Sequence, residues 1–291
     1  MSNKSIELKY GELCLTRKQL LNLLFLIIRL TNFIYIFLIN HYDRNNSLLS
    51  LLEYIMCTSF AYINEDSEPK VMFLHNRDLP KEGFKGHEIK VFYNKQNNNK
   101  VIGIYDYRSG GIPCGFEVKN KIYGGVANVS NYVGKKSRGI LLLNILMKCN
   151  SLDDAISNFE NELINGEYSS ASYIIGNQDK VYIVENRASE VKIQDKKKFA
   201  VLTNQFEFIK NEYVNIESVN RKIFVIEYLK SKNKVILQDA FKIASTHEPV
   251  EICRHGVTLS SMIVQISSNL DIFYTLNYPH LGFNRLNIES I

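Results

Sequence analysis

From Cys57 to the end of the chain, short β-rich segments stand in blocks with helical segments between them, and this order restricts the fold. The first strand-like segments are CTSFAYI from Cys57 and VMFLHNRD from Val71. Helical periodicity covers residues 139–148, 153–164, 218–230 and 238–245. Ser151 is placed to cap the second helix. Because strands and helices do not alternate one by one, the pattern predicts an α+β fold with sheets covered by helices.

The sequence divides into two parts, a hydrophobic leader at 1–56 and a body at 57–291. No internal repeat and no long Gly-, Ser- or Pro-rich linker interrupts the body, which is therefore predicted to be one domain. The formal net charge is only +5, and acidic and basic residues are interleaved. This pattern lacks the basic stripe of a nucleic-acid-binding protein, so no nucleic-acid partner is expected.

The leader contains a segment, residues 20–39, that has about the length of a membrane span. Arg29 lies in its middle, where an arginine costs roughly 3 kcal/mol on insertion. The leader is a membrane anchor, a propeptide or docking helix, or an untranslated stretch with Met56 as the true start. We favour the last interpretation, because removal of Met56 would leave Cys57 with a free α-amine. A cytoplasmic protein is then expected; a retained 20–39 segment would instead give a membrane-anchored one.

Five cysteines are present, and no two of them form a CxxC pair. The odd number and the spacing argue against a zinc ribbon and against a secreted disulfide framework. Reduced thiols in a cytosolic setting are expected, one of them a nucleophile. The histidines show no HxxxH or HxH spacing, so no metal site is predicted. No cofactor is predicted either, because acyl transfer through a thiol needs none.

A thiol nucleophile needs a base, and the sequence has no evident Cys-His motif. An N-terminal cysteine would supply its own base, since an α-amine titrates near about 7.7–8.0. An aspartate can hold that amine, and an asparagine can stabilise the oxyanion of an acyl transfer by roughly 3 kcal/mol. Asn204 lies in the apolar segment VLTNQF, and strands are depleted in asparagine, so this side chain needs a hydrogen-bonding role.

Several segments, in this order, resemble the N-terminal-nucleophile (Ntn) hydrolases. They are CTSF, FLHNRDLP, GGVANVSN, VLTNQF and SVNRKIFVIEYL. The resemblance is greatest to the penicillin acyltransferase-like branch, with choloylglycine hydrolases and acid ceramidase-like enzymes as more distant relatives. NRD near a Met-Cys pair and SRGILL also resemble the NRDE-motif family associated with transport and Golgi organisation. The Ntn resemblance implies a four-layer αββα sandwich of two antiparallel sheets.

The resemblance also implies roles for matching positions. Cys57 matches the nucleophile, and Asp78 matches the aspartate that contacts its amine. Asn204 matches an oxyanion-hole asparagine, and Asn128 matches a second one less closely. Arg221 falls where these enzymes often have an arginine after the Thr-Asn strand.

One string departs from the Ntn pattern. The usual Arg-Asn-x-Asp is replaced here by His75-Asn76-Arg77-Asp78. Because side chains alternate between the faces of a strand, positions 75 and 77 share one face. We therefore expect Arg77 to reach the space of the missing arginine, whose role would be to bind a substrate carboxylate or to stabilise the thiolate.

These observations predict a cysteine Ntn amidohydrolase or acyltransferase. It would act on a linear non-peptide amide through an acyl-thioester on Cys57, after autoprocessing or a start at that residue. Its partner would be a small-molecule amide or acyl donor, and a homo-oligomer is possible. Membrane association is expected only if 20–39 is retained. The alternative is a non-catalytic small-molecule or lipid/haem-trafficking protein on the same fold.

Overall fold

The computed structural model describes residues 9–10, 13–14, 57–79, 86–129, 133–211, 214–254 and 257–288. The chain divides into two units, 1–53 and 54–291. In the first unit, strands β1 (Lys9–Tyr10) and β2 (Leu13–Cys14) pair antiparallel. The remainder of the predicted leader, including 20–39, lies outside the described residues. Within the described ranges, no helix combines the length and apolar character needed to cross a bilayer.

One sheet of the second unit has seven antiparallel strands in simple sequence order. They are β5 (His87–Asn94), β6 (Asn99–Asp106), β7 (Gly111–Glu117), β8 (Ile122–Asn128), β9 (Ala171–Gly176), β10 (Val181–Arg187) and β11 (Glu190–Lys196). Each strand of this meander pairs with its neighbours in the chain, and the connection between β8 and β9 contains two helices.

The other sheet has six strands in the order β12-β3-β4-β13-β14-β15. They are β3 (Cys57–Ile63), β4 (Val71–Asp78), β12 (Phe199–Leu202), β13 (Thr258–Ile266), β14 (Leu270–Thr275) and β15 (Asn284–Arg285). Strand β3 therefore lies inside the sheet, between β12 and β4. Its first residue, Cys57, is opposite Arg77 of β4.

The described ranges contain four α-helices: α1 (Arg138–Lys148), α2 (Leu152–Leu163), α3 (Ile216–Lys230) and α4 (Leu237–Ala244). Each predicted helix is present, with ends within about two residues of the expected positions. The Ser151 hydroxyl accepts a hydrogen bond from the Asp154 amide at 3.0 Å, so the predicted cap of α2 is confirmed.

Successive side chains of each strand point to opposite faces of its sheet, and three separate apolar layers result. Phe73 of β4 packs between the sheets with side chains such as Ile104 and Ile174 from the seven-stranded sheet. Its neighbour Leu74 faces the other way and packs against α3 and α4. The outer face of the seven-stranded sheet is covered by α1 and α2. The order of layers is helix, sheet, sheet, helix, and the predicted αββα sandwich is confirmed.

Candidate active site

The pairing of β3 with β4 brings a cationic side chain to the Cys57 thiol. Cys57 and Arg77 are directly opposite in the antiparallel ladder, so their side chains share the face between the sheets. The Arg77 Nη1 atom donates to the Cys57 Sγ atom at 3.4 Å, and Cys57 is fully buried. Arg77 thus places a positive charge where a sulfur nucleophile would develop negative charge.

Arg77 and His75 lie on the same face of β4, as strand alternation predicts. His75, on the same face, makes a different contact, because its Nδ1 atom lies 2.6 Å from the Ser59 hydroxyl. Burial tends to lower the pKa of the Arg77 guanidinium, but Cys57 and Asp106 more than compensate, and the pKa is raised. Arg77 therefore remains charged beside the sulfur.

Asp106, from the opposite sheet, anchors the guanidinium. Its Oδ2 atom accepts from Arg77 Nη2 at 3.2 Å, and its Oδ1 atom accepts from the Arg108 amide at 2.9 Å. The carboxylate is almost fully buried, and His87 Nε2 lies 4.0 Å from it. Burial raises the pKa of Asp106, but Arg77 and His87 outweigh this, so the pKa is lowered. The sequence gives no sign of this role for Asp106, because an aspartate before YRSGG resembles an ordinary turn residue.

A second set of polar groups lies on the helix-facing side of β4, around Asp78. The Thr258 hydroxyl donates to Asp78 Oδ1 at 2.6 Å, and Arg221 Nη1 lies 3.6 Å from Asp78 Oδ2. Arg221, on α3, is only 2% exposed and also donates to the Thr58 hydroxyl at 3.0 Å. Burial raises the pKa of Asp78 to about 6, against the opposing effects of Arg221 and Thr258. Arg221 is thus a buried counter-ion of Asp78.

Asn204 links the two sets of groups. Strand β12 ends opposite Ser59, and two residues later Asn204 lies beside Cys57. Its Oδ1 atom accepts from the Cys57 backbone N–H at 2.7 Å and from Arg221 Nη2 at 3.3 Å. Because both neighbours can only donate, they fix the orientation of the amide. The N–H donors of Nδ2 therefore point away from these two groups.

Of the six predicted site residues, five lie in one connected network: Cys57, Arg77, Asp78, Asn204 and Arg221. The sixth, Asn128, ends β8, where its backbone pairs with Ala171. The side chain of Asn128 lies outside what the structure describes, so its predicted role stays a prediction.

Glu185, a buried side chain of β10, holds the segment that follows Asn204. Its carboxylate accepts from three consecutive backbone N–H groups, those of Glu207, Phe208 and Ile209. The Ser172 hydroxyl donates to the same carboxylate at 3.4 Å. Glu185 therefore ties the Asn204 loop to the seven-stranded sheet. The sequence gives no indication of this role, because VYIVENR resembles an ordinary strand end.

A sequence model of the Transport and Golgi organisation 2 family matches residues 56–265, which is more than half of the chain. The chain belongs to this family. The family has an Ntn-hydrolase-like fold, in agreement with the two antiparallel sheets. The matched region includes all six predicted site residues. Among curated proteins, none matches this chain.

In this family member, two histidines near the thiol are held neutral. Burial lowers the pKa of His75 to about 3, and the charge of Arg77 adds to the effect. Burial also lowers the pKa of His87, more than Asp106 raises it. Neither ring is therefore a cation at neutral pH.

The buried His75 should make the fold sensitive to acid. A neutral histidine whose pKa is lowered on folding stabilises the protein fully above the unfolded pKa of 6.5, and this contribution is lost as the pH falls toward 3. Between pH 7 and pH 5 the loss from His75 is about 2 kcal/mol. Because glutamine does not titrate, His75→Gln should be spared this loss. Between pH 7 and pH 5, its free energy of unfolding in urea should fall by about 2 kcal/mol less than that of the wild type.

Asp78→Asn provides a control of opposite sign. The pKa of Asp78 is raised, so its charged form costs stability above pH 6, and this cost disappears as the pH falls toward 3.8. Between pH 7 and pH 5, the free energy of unfolding of Asp78→Asn should therefore fall by about 1 kcal/mol more than that of the wild type. If the two variants changed the pH dependence in the same direction, the assignment of neutral His75 and destabilised Asp78 would be wrong.

Proposed function

We propose that this protein is a cysteine Ntn amidohydrolase or acyltransferase that acts on a linear non-peptide amide through an acyl-thioester on Cys57. We also propose the penicillin acyltransferase-like branch as its place among the Ntn enzymes. The proposal rests on two contacts of Cys57. Its Sγ atom accepts a hydrogen bond from Arg77, and its backbone N–H donates to the Asn204 side chain.

The proposal requires that Cys57 become the first residue of the working enzyme. Its nitrogen would then be an α-amine with additional N–H donors. Asp78 Oδ2 is a buried acceptor that has no hydrogen bond within the described part of the chain, and Arg221 lies 3.6 Å from it. Asp78 is also the residue next to Arg77, the strand partner of Cys57. These facts support Asp78 as the group that holds the amine.

The α-amine is the better base, because the histidines near the thiol are engaged elsewhere. His75 Nδ1 contacts Ser59, and the low pKa of His75 makes its ring a poor proton acceptor at neutral pH. An α-amine titrating near about 7.7–8.0 is suited to exchange a proton with a thiol in the working pH range.

In the proposed reaction, the α-amine takes the Cys57 thiol proton, and the sulfur attacks the amide carbon to form a C–S bond. The carbonyl oxygen becomes an oxyanion that Asn204 Nδ2 stabilises, while Arg77 balances the charge on sulfur. Collapse of this intermediate breaks the C–N bond, and the ammonium returns its proton to the leaving amine. Water then hydrolyses the thioester to a carboxylic acid, or a second amine takes the acyl group.

The direct test is capture of the acyl-enzyme. Purified protein is incubated with N-acyl p-nitroanilides of increasing chain length, quenched in acid, and analysed by peptide mass spectrometry. We expect p-nitroaniline release together with an acyl mass on the peptide that begins at Cys57. Saturable binding of these compounds without release or adduct would contradict the proposal and favour the non-catalytic alternative.

An Asn204→Asp variant tests the oxyanion role separately. Aspartate keeps the acceptor that faces the Cys57 nitrogen and Arg221, but it removes the Nδ2 donor. We expect kcat to fall by roughly 10²–10³-fold while the fold is retained. Asn177→Asp is the matched control, because Asn177 also uses Oδ1 as an acceptor, from Asp179 and Lys180 in a turn. Unchanged kcat in Asn204→Asp would eliminate this residue as the oxyanion donor.

A cytoplasmic location and a small-molecule amide partner remain part of the proposal. The four cysteines whose side chains are described, Cys57, Cys114, Cys149 and Cys253, are all thiols rather than disulfides. Reduced cysteines support a cytoplasmic protein.

A further inference from the structure

Three side chains outside the Cys57 network converge near the end of α4. They are His247, in the segment after α4, Cys253, in the segment before β13, and His280, in the 3₁₀ turn Pro279–Leu281. One potential ligand atom from each residue lies within 4.8 Å of the other two. The two histidine rings are in edge-to-face contact, with centroids 5.1 Å apart.

We propose that His247, Cys253 and His280 form a binding site for Zn²⁺ or a similar borderline-soft divalent ion. Two imidazoles and one thiolate are a donor set typical of such ions. In tetrahedral zinc with bonds of about 2.3 Å to sulfur and about 2.0 Å to nitrogen, sulfur and nitrogen ligands stand about 3.5 Å apart. The Cys253 Sγ and His280 Nδ1 atoms are 3.5 Å apart, close to this spacing.

The local backbone brings the three ligands together. The amides of Ile252 and Cys253 both donate to the Thr246 carbonyl, which closes the segment between His247 and Cys253 into a loop. Tyr278 stacks on the His280 ring with an angle of 12° between the planes, so the ring is held at a defined orientation. A site organised by these contacts requires little rearrangement to accept an ion.

The three ligands are buried to different degrees, and this indicates how the ion would be coordinated. Cys253 is buried, His247 is half-buried and His280 is exposed. Three protein ligands with one side toward solvent leave the fourth tetrahedral position to water or to an added ligand. Because the ligand is the thiolate, binding of the ion displaces the Cys253 proton to solvent.

The site adjoins the Asp78 network without sharing a ligand with it. The residue after Cys253, Arg254, donates its amide to the Thr258 hydroxyl at 2.7 Å, and that hydroxyl donates to Asp78. An ion bound at Cys253 would therefore lie next to Arg254, whose amide contacts the hydroxyl that holds Asp78. The proposal itself does not depend on the enzymatic function proposed above.

The test uses the full chain, stripped with a chelator, and the metal ions alone. We expect titration calorimetry with Zn²⁺ to show one ion per chain. We also expect Co²⁺ to produce the thiolate-to-cobalt charge-transfer absorption and the strong visible bands of a tetrahedral site. Cys253→Ser should abolish the charge-transfer band, and His280→Gln should weaken Zn²⁺ binding at least tenfold. Since His280 is exposed, its replacement leaves the apolar core intact.

Cys149→Ser and Cys57→Ala are the matched controls. Cys149 is a buried thiol in the layer of α1 and α2, and Cys57 is the thiol between the sheets. Both variants should bind Zn²⁺ as the wild type does. The proposal would be overturned if the wild type showed no thiolate-to-cobalt band. It would also be overturned if Cys253→Ser and His280→Gln bound Zn²⁺ as tightly as the wild type. The 3.5 Å contact would then be an ordinary thiol–imidazole hydrogen bond.

Discussion

Cys57→Ala should reduce amide turnover by roughly 10⁴-fold or more, because it removes the only atom that the proposed mechanism uses to form the acyl intermediate. Asn204 would keep its position, since its contact is made to the backbone nitrogen of residue 57, and Asp106 would still hold Arg77. The loss should therefore appear in kcat, with little change in the affinity for substrate. Initial rates of p-nitroaniline release from the best acyl p-nitroanilide provide the measurement.

The matched control for this variant is Cys149→Ala. Cys149 is also a buried thiol, and burial raises its pKa to about 12, so it is protonated and unreactive at neutral pH. The Cys149→Ala variant should retain nearly full activity per folded molecule. Turnover by Cys57→Ala within tenfold of the wild type would show that the thiol does not carry the reaction.

Glu185→Ala should lower the free energy of unfolding by about 3–5 kcal/mol. The change leaves the amides of residues 207–209 without their buried acceptor, and each unsatisfied group costs about 1–3 kcal/mol. The loop after Asn204 would lose its tie to β10, so we also expect kcat to fall in the fraction that remains folded. Urea unfolding at pH 7 measures the first effect.

Glu207→Gln serves as the control for charge alone. Glu207 forms ion pairs with Lys196 and Lys222 at the surface, where such pairs contribute about 1 kcal/mol or less. The free energy of unfolding of Glu185→Gln should lie between those of Glu185→Ala and Glu207→Gln, because the glutamine amide retains one acceptor oxygen. If Glu185→Ala were no less stable than Glu207→Gln, the carboxylate would not be what holds the Asn204 loop.

Much of the fold followed from local patterns in the sequence. The helices were located by their periodicity, and Ser151 caps α2 as predicted. The face on which Arg77 lies was also predictable, because strand alternation places residues 75 and 77 on one side, whereas its contact with Cys57 depends on the pairing of β3 with β4. These inferences depend on residues that are near in sequence or on a regular geometry.

The remaining parts of the site come from contacts between distant segments. Asp106 reaches Arg77 from the opposite sheet, and Glu185 reaches the Asn204 loop from β10. The His247, Cys253 and His280 cluster is assembled from three separate segments, so no ligand spacing in the sequence announces it. Such contacts depend on how the two sheets and their connections pack, which single-sequence patterns do not specify.

The proposed mechanism requires Cys57 to be the first residue of the working protein. Intact mass and N-terminal sequencing of the active protein purified from its native source test it most directly. We expect a chain that begins at Cys57 with an unblocked α-amine. An active protein that retains any residue before Cys57 would contradict it, because the nitrogen of Cys57 would then be a peptide amide and could not serve as the base.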